Sequence, residues 1–242
     1  MSDFFVVVAY ALLPALGNLA GGLLAETMRT PRWVIGAALH GAAGIAIALI
    51  SIDLMPRILL NVPMWGIALA FLGGAATSFF LARGVAAIRG EASGSGFRAW
   101  MVYAAIGADL MSDGAMTGAG SAVALNLGLL LAAAQSIANI PGGFAAAANL
   151  RSHGVPRQRR ILTSLAMFAP VLLSAAAGFI FLQGTSEIIK SAVLAYIVGL
   201  LLLATVEDMI PEGDAPRPPR WSSTLAFALG FAGLSLSSRY LG

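Results

Sequence analysis

The sequence contains no cysteine and few charged residues. None of its 242 residues is Cys, which excludes disulfide bonds and thiolate metal ligands. Only 10% of the residues are charged, whereas soluble domains are about 25% charged. Hydrophobic residues make up 59% and the mean hydropathy is +0.87, so a soluble globular protein is excluded. The apolar runs are long and continuous, which favours membrane-spanning helices over the short alternating strands of a membrane barrel.

Eight apolar stretches are long enough to cross a bilayer as helices, which takes about 20 residues each. The first has no basic segment before it, so we interpret it as a span rather than a cleaved signal peptide. The sequence therefore predicts an all-α polytopic membrane protein with a single transmembrane domain over residues 1–242. The eight stretches are residues 4–24, 33–60, 65–88, 99–125, 128–150, 161–183, 188–209 and 222–240.

Basic residues concentrate in alternate loops between these stretches. Only three of the 14 Lys and Arg residues, namely Arg57, Lys190 and Arg239, fall on the other side. The positive-inside rule then predicts that both termini lie outside the cytoplasm, in a bacterial inner membrane. The basic segment 157–160 is interpreted as a cytoplasmic loop that fixes topology, and no nucleic-acid partner is expected.

Two patterns recur in the first and last thirds of the chain. Asp53-Leu-Met-Pro56 ends the second span, and Asp208-Met-Ile-Pro211 ends the seventh. The third and eighth spans share a Leu-Ala-Phe pattern that begins at Leu69 and Leu225. Residues 1–88 and 161–242 are therefore predicted to be three-helix repeats on either side of a central helix pair, residues 99–150. Because three is odd, the repeats are inverted. Chance similarity between apolar segments is the alternative.

Two aspartates lie within the fourth span. Asp109 and Asp113 are four residues apart, so they share one helix face. A carboxylate at this depth is costly unless it is paired or hydrated. No Lys or Arg lies at comparable depth in the sequence, so we expect a bound cation, a proton or a water-filled cavity. A protonated structural pair between helices is the alternative.

The fifth span repeats the same spacing with amides. Gln135 and Asn139 would either form hydrogen bonds between helices or offer oxygens to a cation. Pro141-Gly142-Gly143 is expected to break this helix and expose backbone carbonyls near the substrate path.

Further polar residues suit the two ends of a path. Glu207 and Asp208 are expected to line an exit, and Asp53 an entrance at the opposite end. Glu212 and Asp214 are interpreted as a solvated loop. His40, in a helix of small residues, is interpreted as a packed or hydrogen-bonded core histidine.

The motifs resemble those of the ZIP (Zrt/Irt-like) metal-transporter family, in particular its bacterial members. The fourth span of that family carries His-Asn-x-Pro-Glu-Gly, and Asp109-Leu-Met-Ser-Asp113-Gly114 takes its place. The fifth carries Gln-Asn-Ile-Pro-Glu-Gly and then a basic loop, where this chain has Ala138-Asn139-Ile140-Pro141-Gly142-Gly143 and then residues 151–160. The seventh carries His-Glu-x-x-Pro-Glu, which Glu207-Asp208-Met-Ile-Pro211-Glu212 resembles.

The resemblance implies a fold of eight helices in a 3+2+3 inverted arrangement, and homodimers are common in the family. It implies uptake of zinc, iron, manganese or related divalent ions into the cytoplasm by an elevator-like movement. The ion is the transported substrate, and no prosthetic group is implied. The family's binuclear site lies between the fourth and fifth spans.

The departures from the family predict a reduced site. Asp109 replaces a histidine, and Gly142 and Ala169 replace carboxylates. A single ion would be held by Asp109, Asp113 and Asn139, with help from Gln135 and water. Such an all-oxygen site favours Mg, Mn, Fe(II) or Ca over tightly held zinc.

Two other functions stay open at this point. Gly142 and Ala169 favour a protein of this fold with a different role. It would carry another substrate, or it would have lost transport and act as a membrane partner or sensor. An intramembrane aspartyl hydrolase would place its two aspartates on separate helices. Here both lie on one helix, so no enzymatic activity is expected.

Overall fold

The computed structural model describes residues 2–28, 31–91, 95–215 and 217–241, and every regular element in these ranges is helical. Two short segments, Leu49–Leu54 and Thr205–Met209, are π-helical. The α-helices are α1 (Ser2–Thr27), α2 (Arg32–Ala48), α3 (Met55–Asn61), α4 (Met64–Glu91), α5 (Ser95–Val123), α6 (Leu125–Ser152), α7 (Arg157–Ala166), α8 (Phe168–Leu182), α9 (Glu187–Ala204), α10 (Ile210–Asp214) and α11 (Arg220–Leu241).

Six helical stretches are long and apolar enough to cross a membrane, which makes this a helical membrane protein. The predicted fourth and eighth spans, which correspond to α5 and α11, are not among the six. Both are nevertheless long helices, with 29 residues in α5 and 22 in α11. Their sequences are more polar, because α5 carries Asp109 and Asp113 and α11 is rich in serine. The six stretches are Asp3–Thr27, Trp33–Asn61, Met64–Leu81, Leu125–Ser152, Arg157–Leu182 and Glu187–Asp214.

The long helices pack most extensively in four pairs: α1 with α6, α5 with α8, α2 with α11, and α4 with α9. Additional contacts of α1 with α8 and α5 with α6 join the first two pairs into one bundle. The other two pairs are joined through the short helices at their ends. α10, which follows α9 along the chain, contacts α2, and α3, which follows α2, contacts α9. These four long helices form a second bundle. We call these the α1/α5/α6/α8 bundle and the α2/α4/α9/α11 bundle.

Glycines allow the paired helices to approach at backbone distance. A Cβ added at Gly44 of α2 would lie 2.1 Å from the Phe227 carbonyl oxygen of α11. One added at Gly199 of α9 would lie 2.1 Å from the Phe71 carbonyl oxygen of α4. Small residues at helix contacts are the usual solution in membranes, where apolar surface alone does not drive association.

The two π-helical segments occupy matching places, one after α2 and one after α9. Each is followed within two residues by a proline, Pro56 or Pro211. Proline lacks an N–H and its ring clashes with the carbonyl four residues earlier. A π-helical turn is one way to accommodate it. The sequence predicted only regular spans at these positions.

The predicted helix break at Pro141, Gly142 and Gly143 is wrong, since α6 runs without interruption from Leu125 to Ser152. The proline removes only the hydrogen bond to the Ile137 carbonyl. Gly143 serves close packing instead, because a Cβ there would lie 2.0 Å from the Asn18 carbonyl oxygen of α1.

Candidate functional site

A cavity lies between the two bundles and has a volume of about 680 Å³. Ile106 and Met116 of α5 both line it, so it extends about 15 Å along that helix at 1.5 Å per residue. Its inner end is apolar, with Leu49, Met116 and Leu200. Its other end is acidic. The polar residues that line it are Ser78, Arg83, Asp109, Ser112, Asp113, Gln135, Asn139, Glu207, Asp208 and Glu212.

The structure brings most of the predicted site residues together in this cavity. Asp109 and Asp113 of α5 line it from one helix face, as their spacing predicts. The Asp109 side chain is open to the cavity, whereas Asp113 is only 7% exposed. Asp109 is therefore the carboxylate that a solute in the cavity would meet first.

Two hydrogen bonds cross from α5 to α6, one helical turn apart. The Asn139 amide Nδ2 donates to Asp113 Oδ2 over 2.7 Å. The Thr117 hydroxyl donates to Gln135 Oε1 over 2.9 Å. All four side chains are buried. The interpretation of Gln135 and Asn139 as partners in hydrogen bonds between helices is therefore confirmed for both.

Asp109 lies one turn beyond these two bonds on α5, and Gly142 lies about one turn beyond them on α6. Gly142, which also lines the cavity, has no atom within 4 Å of an added Cβ. The carboxylate of Asp109 has no ion-pair partner within 4.0 Å among the described side chains. The cavity that Asp109 and Gly142 both line therefore has room for a solvated cation.

The mouth of the cavity is formed by the second π-helical segment and α10. Glu207, Asp208 and Glu212 are exposed there, as predicted for the first two. Glu212 was assigned to a solvated loop, but it lines the mouth as well. A line of carboxylates thus leads from the mouth to Asp109 and Asp113, which raises the local concentration of cations.

Asp53 does not line this cavity. It lies on the first π-helical segment, 8% exposed, and its Oδ1 accepts a hydrogen bond from the Ser238 hydroxyl over 2.6 Å. Its predicted role as an entrance, at the other end of the molecule, stays a prediction. His40 is confirmed as a hydrogen-bonded core residue, since Nδ1 lies 2.8 Å from the Gly36 carbonyl oxygen. Its Nε2 lies 3.3 Å from Asp214 Oδ1.

The described residues contain no group of three or more His, Asp or Glu side chains placed to hold a metal ion together. Of the predicted ligands, Asp109 and Asp113 are carboxylates, whereas Asn139 and Gln135 are amides and do not count toward such a group. A cation bound here would keep part of its water shell, as Mg²⁺ ordinarily does.

The sequence interpretation missed two residues of this site. Thr117 continues the spacing of Asp109 and Asp113 by one more turn, and that continuation was the available signal. Arg83, which was assigned to a cytoplasmic loop, lines the cavity and stacks on Phe79 with its guanidinium carbon 4.5 Å from the ring centroid. No polar pattern surrounds Arg83 in the sequence.

Comparison of the chain with protein-family models finds no match, and comparison with curated proteins finds none either. The function is therefore argued from the cavity and the residues that line it.

Proposed function

We propose that the protein is a membrane transporter of divalent cations. The cavity is the substrate path, and Asp109 with Asp113 is the principal binding site. The observation that carries this proposal is the line of carboxylates from an open mouth to an aspartate pair between membrane helices. Charged side chains at such depth generally belong to ion or substrate pathways.

The donor chemistry favours hard cations. Carboxylate and amide oxygens are the ligands that Mg²⁺, Mn²⁺ and Ca²⁺ prefer, whereas a tight zinc site takes imidazole or thiolate. Two carboxylates with water give a weak site. Weak binding suits transport, because an ion that is held too tightly does not leave. Isothermal titration that finds zinc bound strongly and selectively over manganese would contradict this assignment.

We also propose an architecture of eight spans in two inverted three-helix repeats around α5 and α6, as in the ZIP family. The four helix pairs support it, since exchanging the repeats turns α1 with α6 into α8 with α5, and α2 with α11 into α9 with α4. The glycine contacts of Gly44 and Gly199 match in the same way. So do the π-helical segments that carry Asp53 and Asp208.

Uptake into proteoliposomes tests the transport function. Purified protein is reconstituted and supplied with Zn, Mn, Fe(II), Co or Mg, for wild type and for Asp109→Asn/Asp113→Asn. We expect uptake of a hard cation such as Mn²⁺ and its loss in the double variant. Glu187→Gln is the matched control, because it removes a carboxylate that is paired with Lys190 outside the cavity. Folded wild-type protein that carries none of these ions would refute the proposal.

A small organic cation is the second candidate substrate, and the size of the cavity favours it. Pockets for organic ligands have volumes of about 300–1,000 Å³, and this one has about 680 Å³ with apolar walls at its inner end. Uptake of a labelled diamine that requires Asp109, without uptake of any metal ion, would select this candidate.

A further inference from the structure

We infer that Thr117 is a positioning residue of the cation site, which determines whether Gln135 turns its amide oxygen or its amide N–H away from Thr117. This inference rests on the proposed function. Gln135 lines the cavity, whereas Thr117 is not among the lining residues and is fully buried behind it. The only side-chain hydrogen bond described for Gln135 is the one from Thr117.

The Gln135 amide is only half satisfied. Its Oε1 accepts from the Thr117 hydroxyl, while its Nε2 is buried and has no hydrogen-bond partner. A buried donor without an acceptor is costly. In this orientation the Gln135 oxygen is engaged by Thr117, and the group turned away from Thr117 is the N–H.

A half-turn of the amide exchanges the positions of Oε1 and Nε2. The amide nitrogen then donates to the Thr117 oxygen, and Oε1 takes the position that Nε2 now occupies, away from Thr117. The hydroxyl hydrogen of Thr117 can turn to the carbonyl four residues earlier, that of Asp113. Ser121 and Thr205 donate to carbonyls in this way, over 2.8 and 2.7 Å.

A hydroxyl is the group that can serve both orientations, because it both donates and accepts. A cation near Asp113 attracts the oxygen and repels the N–H, so it favours the rotated amide. Thr117 thereby holds Gln135 in place in either state without itself touching the cation. A valine of the same shape could hold neither orientation.

Isothermal titration of purified protein with Mn²⁺, together with Mn²⁺ uptake, tests this role. Removing a side chain that orients a metal ligand typically costs 10–100-fold in affinity. We expect Thr117→Val to weaken Mn²⁺ binding at least about tenfold and to raise the KM for uptake, and Thr117→Ser to restore both. Ser121→Ala is the matched control, since it removes a hydroxyl one turn away that bonds only to backbone, and we expect unchanged affinity.

Gln135→Glu gives a second measurement that leaves Thr117 in place. A carboxylate offers an oxygen in both orientations, so we expect tighter Mn²⁺ binding than in wild type. Equal or weaker binding contradicts the inference, as does a Thr117→Val protein that binds Mn²⁺ like wild type. Either result leaves the proposed transport intact. A wild-type protein that neither binds nor carries any divalent cation overturns both.

Discussion

At the scale of single residues, two adjacent glycines of α6 have opposite roles. A Cβ at Gly142 would meet no atom within 4 Å, and Gly142 lines the same cavity as Asp109. A Cβ at Gly143 would lie 2.0 Å from the Asn18 carbonyl oxygen. The first glycine therefore leaves room for a ligand, and the second leaves room for α1.

The first of these glycines offers a gain-of-function test. Gly142→Glu places its Cβ in open space and adds a third carboxylate to the lining of the cavity. We expect the affinity for Mn²⁺ in isothermal titration to rise at least about tenfold, since an added charge contact is worth about 1.5–3 kcal/mol. Unchanged affinity in the folded variant would place the bound cation elsewhere.

The second glycine tests packing. Gly143→Ala pushes a methyl group into the backbone of α1, and overpacking of this kind costs about 1–3 kcal/mol. We expect a lower melting temperature in detergent, whereas Gly142→Ala should melt within about 2 °C of wild type, as for a surface change. Equal melting of both variants would show that α1 and α6 separate at little cost.

At the scale of elements, the second π-helical segment sets the orientation of the mouth residues. If the segment adopted α-helical hydrogen bonds, its turn would contain one residue fewer. Glu207 and Asp208 would then rotate by about 100° relative to the helix that precedes them. We expect Pro211→Ala to allow this, with a slower Mn²⁺ uptake and a melting temperature no lower than that of wild type. The control is Pro14→Ala in α1, which lies in a regular helix away from the cavity. Unaltered uptake by Pro211→Ala would contradict this role.

Another element-scale contact fixes the end of α1. The Glu26 carboxylate receives two hydrogen bonds from the Arg160 guanidinium, and the Arg151 guanidinium donates to the Ala25 carbonyl over 2.6 Å. Such a bidentate contact needs the planar guanidinium of arginine, which presents two N–H groups side by side. We expect Arg160→Lys to lose about 2 kcal/mol of stability, seen as a lower melting temperature. Arg159→Lys, at an exposed neighbour, serves as control and should not change it.

The sequence predicts the positions of the helices well and their internal geometry poorly. Apolar length locates α1 as residues 4–24, against Ser2–Thr27 in the structure. It does not separate Pro14 and Pro141, which lie in regular helices, from Pro56 and Pro211, which follow π-helical segments. Pro56 and Pro211 each follow an aspartate by three residues, whereas Pro14 and Pro141 follow an alanine at that spacing. The pattern marks the two repeats, but nothing in it predicts a π-helical turn.

The candidate site was predictable where residues share a helix face. The spacing of Asp109 and Asp113, and of Gln135 and Asn139, places each pair on one face, and the cavity contains all four. The pairing of Thr117 with Gln135 depends on how α5 and α6 are aligned. A threonine in a membrane helix ordinarily bonds to its own backbone, so the continued spacing after Asp109 and Asp113 did not identify Gln135 as its partner.

At the scale of the whole molecule, the open cavity gives the topology a direct test. The basic loops predict that its mouth faces the cytoplasm. Because the chain has no cysteine, one can be introduced at Ala145, which lines the cavity. We expect an impermeant maleimide to label Ala145→Cys in inside-out vesicles only. Gln183→Cys, in the exposed segment after α8, should react only in right-side-out vesicles. The reverse pattern would invert the proposed orientation.

The order in which the helices find their partners also constrains synthesis. α1 ends at Thr27, and its main partner α6 begins at Leu125. At 5–20 residues per second, α1 waits roughly 5–20 s in the membrane before that partner exists. α2 waits longer still for α11. The nascent chain therefore passes through stages in which glycine-rich helix faces are unmatched, and premature termination leaves helices that other proteins in the bilayer can bind.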